Sequence, residues 1–347
     1  MDSIIGAPVA LDAEGGDHGP AEIVAGAVLA ARAGTPVTLV GRAEVLEPLV
    51  AAEGARGLID SARGLIDIVH AGEIIDPAEE PARAVRRKRG SSLVVAAGLV
   101  ADGRAGAMVS SGPTGAVVAA ALLGLGRLPG VQRPALAVVL PVPGAPTVLL
   151  DAGASTEVTP AQLAQYARMG AAYAAGVLDV AAPRIGLLNI GEEPGKGTEP
   201  IRAAHALLSA AEPGFIGNVE SGDLWSDRVD VVVTDGFTGN IVLKSMEGTA
   251  TLMLGVLKDT IGATPATRLA GAVLAPRLRG IVRDMNPDSH GGAALLGVGG
   301  NVLVAHGAAR RATIAAGCAV AARAARAGLA AQIADRLAPG GGAVKGA

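Results

Sequence analysis

The chain has 347 residues, half of them hydrophobic, which is enough to bury one large core or two linked ones and excludes disorder as the dominant state. With only two Phe, two Tyr and one Trp, base stacking is an unpromising activity, and 29 basic against 32 acidic residues create no overall field for a polyanion. The single cysteine, Cys318, excludes an internal disulfide framework and a cysteine-rich zinc site, and fits a reducing, cytosolic compartment.

The first residues, MDSIIGAPVALDAEGG, lack the basic start and apolar run of a signal peptide. Apolar runs at 8–12, 37–40, 107–110, 147–151, 184–190 and 231–235 read as strands, and Ala- and Leu-rich stretches near 20–34, 92–102, 114–126, 160–178, 200–211 and 241–258 read as helices. That alternation predicts an α/β protein with a doubly wound, mostly parallel sheet. The charge-free segment 105–126 is long enough to span a bilayer, but SSGPTG breaks it, so a buried strand, loop and helix fits better. Segment 134–150 is interrupted by Pro141, Pro143 and Pro146, as two strands joined by a turn would be. A tandem ARGLID at 55–60 and 62–67 is a local duplication, too short for a repeat architecture. We expect one domain over 1–338 and a glycine-rich mobile tail over 339–347.

Three strands run directly into Gly-rich polar loops followed by helices: AMVS-SGPTGA at 107–116, LLNI-GEEPGKGTE at 187–199 and VVVTD-GFTGN at 231–240. In a parallel sheet such loops share the carboxyl edge, where helix N-termini present free N–H groups to anions. None is a P-loop or a GxGxxG fingerprint, so no nucleotide cofactor is indicated. Ser110, Ser111, Thr114, Thr198, Thr238, Asn240, Lys196, Glu192, Glu193 and Asp235 together suit a small oxyanion. The plain alternative makes Glu192, Glu193 and Lys196 a solvated loop and Asp235 a helix cap. The loop LDAEGGDHGP adds Asp12, Asp17 and His18 at a fourth strand end, where His18 equally suits capping or packing.

Read together, the segments ALDAEGGDHGP (10–20), RRKRGSSLVVA (86–96), VSSGPTGA (109–116), QRPAL (132–136), LDAGAS (150–155), RIGLLNIGEEPGKG (184–197), DVVVTDGFTGNIVLKSMEG (230–248) and NPDSHGGAALLGVGGNVLVAHGAA (286–309) resemble the PlsX family of phosphate acyltransferases, in order and over nearly the whole chain. Glu14 stands where that family usually has Met, Pro113 and Ser155 where it has Asn, and His290 where it has Tyr. Pro113 removes an amide from a presumed phosphate-side loop, leaving that loop open between phosphate and carrier contacts. The resemblance implies a three-layer αβα fold similar to the isopropylmalate dehydrogenase and phosphotransacetylase group. It also implies a homodimer working in the cytoplasm at the membrane face, and formation of acyl phosphate from long-chain acyl-acyl carrier protein and inorganic phosphate for phospholipid synthesis, with no metal or organic cofactor.

Carried onto this sequence, Lys196 would neutralise phosphate or the tetrahedral oxyanion and Asp235 would orient or deprotonate the attacking phosphate, while Asn240 and Thr114 would donate hydrogen bonds. Asp12, Gly15, Gly16, Ser110, Gly112, Gly115, Glu192, Gly236 and Thr238 complete the expected phosphate and substrate contacts. Cys318, in an Ala-rich helical stretch, reads as a core residue, so direct transfer is expected rather than an acyl-enzyme. The run Arg86, Arg87, Lys88, Arg89 offers a docking point for acidic acyl carrier protein, a solvated turn, or an internal phosphate-side role. Between Met246 and Met285, apolar and basic residues mix, which suits anionic lipid, a dimer contact or an ordinary interface helix. The competing readings are a phosphotransacetylase acting on acyl-coenzyme A and a non-catalytic scaffold that holds carrier protein.

Overall fold

The computed structural model describes residues 6–54, 65–142, 146–284 and 291–338. Most of the ARGLID duplication, His290 and the 339–347 tail lie outside them.

The first half of the chain builds parallel strands from short apolar runs. They are β1 (Val9–Asp12), β2 (Val37–Gly41), β3 (Ile66–His70) and β4 (Ala107–Ser110), joined through helices α1 (Gly19–Arg32), α2 (Ala43–Ala52), α3 (Pro81–Arg87) and α4 (Ser92–Ala101). Helix α5 (Thr114–Gly124) then leads to β5 (Ala135–Leu140), which turns back antiparallel into β6 (Thr147–Leu150), the hairpin expected from the three prolines. Next come α6 (Pro160–Val177), β7 (Ile185–Leu188), α7 (Glu199–Ala211), β8 (Phe215–Val219) and β9 (Val231–Val233). A long helical hairpin, α8 (Gly236–Gly262) and α9 (Pro265–Asp284), follows, and β10 (Ala293–Leu296), β11 (Asn301–Val304), α10 (Arg311–Arg326) and α11 (Leu329–Leu337) close the chain.

The strands form one sheet in the order β3-β2-β1-β4-β11-β10-β5-β6-β9-β7-β8. Seven of its ten pairings are parallel, and the three antiparallel ones, β11 with β10, β10 with β5 and β5 with β6, sit together in the middle. Chain direction therefore reverses across the centre of the sheet. Loops after β1, β4 and β11 leave one edge, and loops after β6, β9 and β7 leave the other. This corrects the expectation that the three Gly-rich loops share a single carboxyl edge: the β5–β6 hairpin lies between the first of them and the other two.

Helices cover both faces, giving three layers. On one face Leu11, Val109, Leu150 and Val233 pack with Leu163, Tyr166, Met169, Ile314 and Cys318 in a continuous core. On the other, Ala10, Met108, Leu136 and Val302 pack under Leu93, Ala96, Val117 and Ala120 of α4 and α5, while Leu149 and Val232 meet Val242, Leu243 and Met246 of α8. Between α5 and the start of α8, part of this second face stays open over β10 and β5. Cys318 is fully buried, and burial pushes its thiol up to about 12, which suits a core residue rather than a nucleophile.

Candidate active site

The open stretch of sheet is the floor of a cleft of about 890 Å³, a size that accommodates a small organic ligand. The register aligns Ser110 with Val304 and Val304 with Ala293, and Leu136 and Val138 of β5 continue that floor toward Leu243 of α8. The floor is thus apolar while its ends are polar.

At one end the β1 and β4 loops stack. Asp12 is buried and accepts from Ser110 Oγ at 2.6 Å and from the Glu14 amide at 3.1 Å, and Ser110 Oγ in turn accepts from the Gly112 amide at 2.9 Å. Burial pushes the Asp12 pKa up, against the pull of its hydroxyl donors. Gly15 has to be glycine for the loops to meet, because a Cβ there would lie 2.6 Å from the Gly112 nitrogen and 2.8 Å from Asp12 Oδ2. Gly15, Gly16, Ser111, Gly112, Pro113 and Thr114 consequently face the cleft. Pro113 occupies the N-cap of α5 and offers it no side-chain acceptor.

Glu14 also lines this end, with its side chain almost fully enclosed. It accepts from Arg42 Nε and Nη2, both at 3.0 Å, and from the Arg42 amide at 3.0 Å. Burial works against its ionisation, but the guanidinium and amide outweigh it and hold the carboxyl below the usual glutamate range. A residue that departs from the family pattern is therefore fully satisfied as an ion pair.

The other end is built where β6 meets α8. Asp151 Oδ1 accepts from the amides of Leu136, Gly153 and Ala154 at 2.9, 3.1 and 2.9 Å, and Oδ2 from Ser155 at 2.8 Å, folding the loop after β6 around one carboxylate. Helix α8 starts against this loop: a Cβ on Gly239 would lie 1.9 Å from the Asp151 carbonyl oxygen, and one on Gly236 2.6 Å from Asp151 Oδ2. Asp235 caps the helix, accepting from the Thr238 amide at 2.8 Å and Thr238 Oγ1 at 2.7 Å. Asn240 is thereby placed beside Gly153 and, with Leu243, Lys244 and Glu247, lines the cleft.

Among the residues expected from the sequence, the structure brings Gly15, Gly16, Gly112, Thr114 and Asn240 to the cleft, with Asp12 and Ser110 beneath it. Gly115, in the first turn of α5, faces Pro81. Asp235, Gly236 and Thr238 hold the start of α8 and do not line the cleft. Lys196 and Glu192 lie on the loop after β7, which leaves the same edge as α8 one strand farther out. Glu192 pairs with Arg228, and the exposed Lys196 ammonium has no hydrogen-bond or ion-pair partner among the described residues. The basic run divides: Arg86, Arg87 and Arg89 are exposed, whereas Lys88 is half-buried and lines the cleft.

Sequence reasoning assigned no role to Lys244 or His306, although both lie inside the quoted motifs LKSMEG and VAHGAA. His306 lines the cleft and its Nδ1 accepts from the Ala308 amide at 3.1 Å, which leaves Nε2 as the ring's remaining polar atom. Among the described residues no group of three or more His, Cys, Asp or Glu side chains is arranged to hold a metal ion.

Residues 7–332 match the model of a family described as "Fatty acid synthesis protein". Proteins named phosphate acyltransferase are similar over most of the chain. The one from Heliobacterium modesticaldum is 46% identical over 303 residues, covering 87% of this chain and 89% of the relative. The one from Thermobifida fusca is 48% identical over 315 residues, 89% of this chain and 85% of the relative. Among solved structures, a phosphotransacetylase from Streptococcus pyogenes superposes with a TM-score of 0.59 at 19% identity, over 93% of this chain and 96% of that one. A 4-hydroxythreonine-4-phosphate dehydrogenase from Klebsiella pneumoniae gives 0.54 at 16% identity, over 93% and 99%. At those identities the structural likeness speaks for the three-layer fold.

Proposed function

The chain belongs to the PlsX family of phosphate acyltransferases, and we propose that it forms acyl phosphate in the described cleft from inorganic phosphate and a long-chain acyl thioester carried by acyl carrier protein. The observation that carries this reading is the cleft's division of labour. Hydroxyls, amides and ammonium groups stand at its ends, and an apolar floor of Leu136, Val138, Ala293 and Val304 runs between them toward Leu243. A dianionic nucleophile and an acyl chain ask for such a pairing.

A phosphate oxygen attacks the thioester carbonyl carbon, the carbon–sulfur bond breaks, and the carrier's thiol leaves. Thiols ionise near pH 8.5, at about the ordinary cysteine value, so the leaving group needs little help and the protein's task is to position phosphate and stabilise the oxyanion. Thr114 and the amides that open α5 supply donors at one end, and Asn240 supplies them at the other. Lys196 does not line the cleft; it stands on the loop after β7, and its exposed ammonium, without a partner among the described residues, is assigned to the charge that develops there. Asp235 acts through its cap, as a positioning residue for the first turn of α8. Lys196→Ala is expected to depress turnover without changing thermal stability, and full activity in that variant would remove Lys196 from the site.

The α8–α9 hairpin exposes Leu252, Met253, Val256, Leu269 and Val273. We assign this surface to association, with a second copy of the chain or with the anionic cytosolic face of a membrane. Sedimentation of the dilute protein and flotation with anionic vesicles separate the two. No single helix among the described residues is long and apolar enough to cross a membrane.

The decisive experiment measures release of free carrier thiol from long-chain acyl-acyl carrier protein with and without inorganic phosphate, with acetyl-coenzyme A as comparison. Phosphate-dependent release from the carrier substrate is the expected result. Activity on acetyl-coenzyme A alone favours a phosphotransacetylase, and no release from either favours a carrier-binding scaffold.

A further inference from the structure

No single role expected for the basic run explains why it divides. Helix α3 ends at Arg87, and Lys88 at its C-cap has a non-helical ψ of 73°, which turns the chain out of the helical progression before Arg89. Its ammonium is then fixed by two acceptors, a carboxylate oxygen of Glu79 and the Ile74 carbonyl oxygen at 2.6 Å. An ammonium has three N–H donors. Two are used, and the third belongs to a group that lines the cleft.

The same wall carries further unused donors. Ser111 is 3% exposed, and its hydroxyl has no hydrogen-bond partner among the described residues. The amides of Thr114 and Gly115 are likewise unpartnered, because they open α5 behind a proline cap. Of the acids on this side of the cleft, Glu14 is held by Arg42, Asp76 turns to its own loop and accepts from the Ala78 amide at 2.8 Å, and Asp17 is exposed to solvent. Glu79 is shared between Lys88 and Arg87, so one carboxylate does not neutralise both cations. Lys244, the lysine on the α8 side of the cleft, differs: it is more than half exposed and among the described residues pairs only with Glu247 on its own helix, an arrangement that holds it weakly.

We propose that Lys88 supplies the fixed positive charge that binds inorganic phosphate in the cleft, and that Glu79 is a positioning residue that keeps the ammonium there. This rests on the phosphate acyltransferase reading above and adds a phosphate ligand from a wall opposite the Asn240 end. Arg86, Arg87 and Arg89 remain on the outer surface, so the four consecutive residues divide between solvent and the cleft.

The test is a split of Michaelis constants in the thiol-release assay, varying phosphate and acyl-acyl carrier protein separately. A charge-assisted bond lost to phosphate predicts that Lys88→Met raises the KM for phosphate by on the order of tenfold or more, with the KM for the carrier substrate unchanged. Lys88→Arg keeps the charge and is expected to retain part of the phosphate affinity. Glu79→Gln is expected to raise the phosphate KM by a smaller factor while kcat at saturating phosphate is retained, a pattern that a general loss of structure does not produce. Calorimetric titration of each variant with inorganic phosphate alone reads binding without turnover. An unchanged phosphate KM in Lys88→Met, or a rise in the carrier KM instead, overturns the assignment of Lys88. A wild-type phosphate KM in Glu79→Gln overturns the role of Glu79. Failure of the functional reading is separately visible, as absence of phosphate-dependent release in the unmodified protein.

Discussion

Asp151 organises the junction on which the α8 end of the cleft depends, and Asp151→Asn tests that role with almost no change in volume. In the native loop every neighbour of the carboxylate is a donor: three amides meet Oδ1 and one meets Oδ2. An asparagine oxygen placed at the Oδ1 position keeps three of the four bonds, and its NH2 group then faces the Ser155 amide, which lies 2.8 Å from Oδ2 in the native chain. The opposite orientation would set NH2 against three donors. In the better orientation one charge-assisted bond is lost and the Ser155 N–H and the asparagine's own NH2 are left facing each other without acceptors, so the variant is expected to lose about 2–4 kcal/mol. Asp151→Ala strands all four amides and is expected to cost more, above about 4 kcal/mol. Urea unfolding at neutral pH, with the slope checked against wild type, measures both. A loss below about 0.5 kcal/mol for Asn, the size of an ordinary surface change, or equal losses for Asn and Ala, would refute the argument that hydrogen-bond matching holds this loop.

Glycine substitutions in α8 are expected to differ in sign along one helix. Gly239→Ala drives a Cβ into the Asp151 carbonyl and should destabilise by about 1–3 kcal/mol with loss of activity, whereas Gly248→Ala meets nothing within 4 Å and should stabilise by about 0.5–1 kcal/mol. Equal thermal shifts for the two would contradict the close approach of α8 to the β6 loop. A pH effect is expected from Glu22, which Arg311 grips through its side chain and amide, lowering the carboxyl from 4.5 to about 2. Because the folded state holds this carboxyl ionised below its unfolded value, its contribution is present above about pH 4.5 and fades as pH falls toward 2. The difference in urea midpoint between wild type and Glu22→Gln should therefore shrink on acidification through that window, and a constant difference would count against it.

Local signals in the sequence located most elements, because each start or stop is decided within a few residues. Pro160 follows Thr159 and precedes Gln162, and α6 begins there with a capping box in which each side chain meets the other's backbone. The prolines between β5 and β6 likewise marked a hairpin. Its consequence was not visible, because the period of a strand reads the same in either direction. One antiparallel turn inside a parallel pattern sends the loops after β6, β7 and β9 to the opposite edge, and so the Lys196 loop does not stand beside Ser111 and Thr114. Strands β10 and β11 escaped notice for a related reason: AALLGVGGNVLV is broken by glycines, and the partners that make it sheet, β5 and β4, come from more than 150 residues earlier. The site was legible where glycine is forced by close approach, as at Gly15 and Gly236, and illegible where a side chain's direction depends on distant acceptors. In Arg86, Arg87, Lys88 and Arg89 nothing in the run itself distinguishes the third charge. Helix α3 stops at Arg87, Glu79 and the Ile74 carbonyl wait on the inner side, and a run that reads as one basic patch therefore presents its arginines to solvent and its lysine to the cleft.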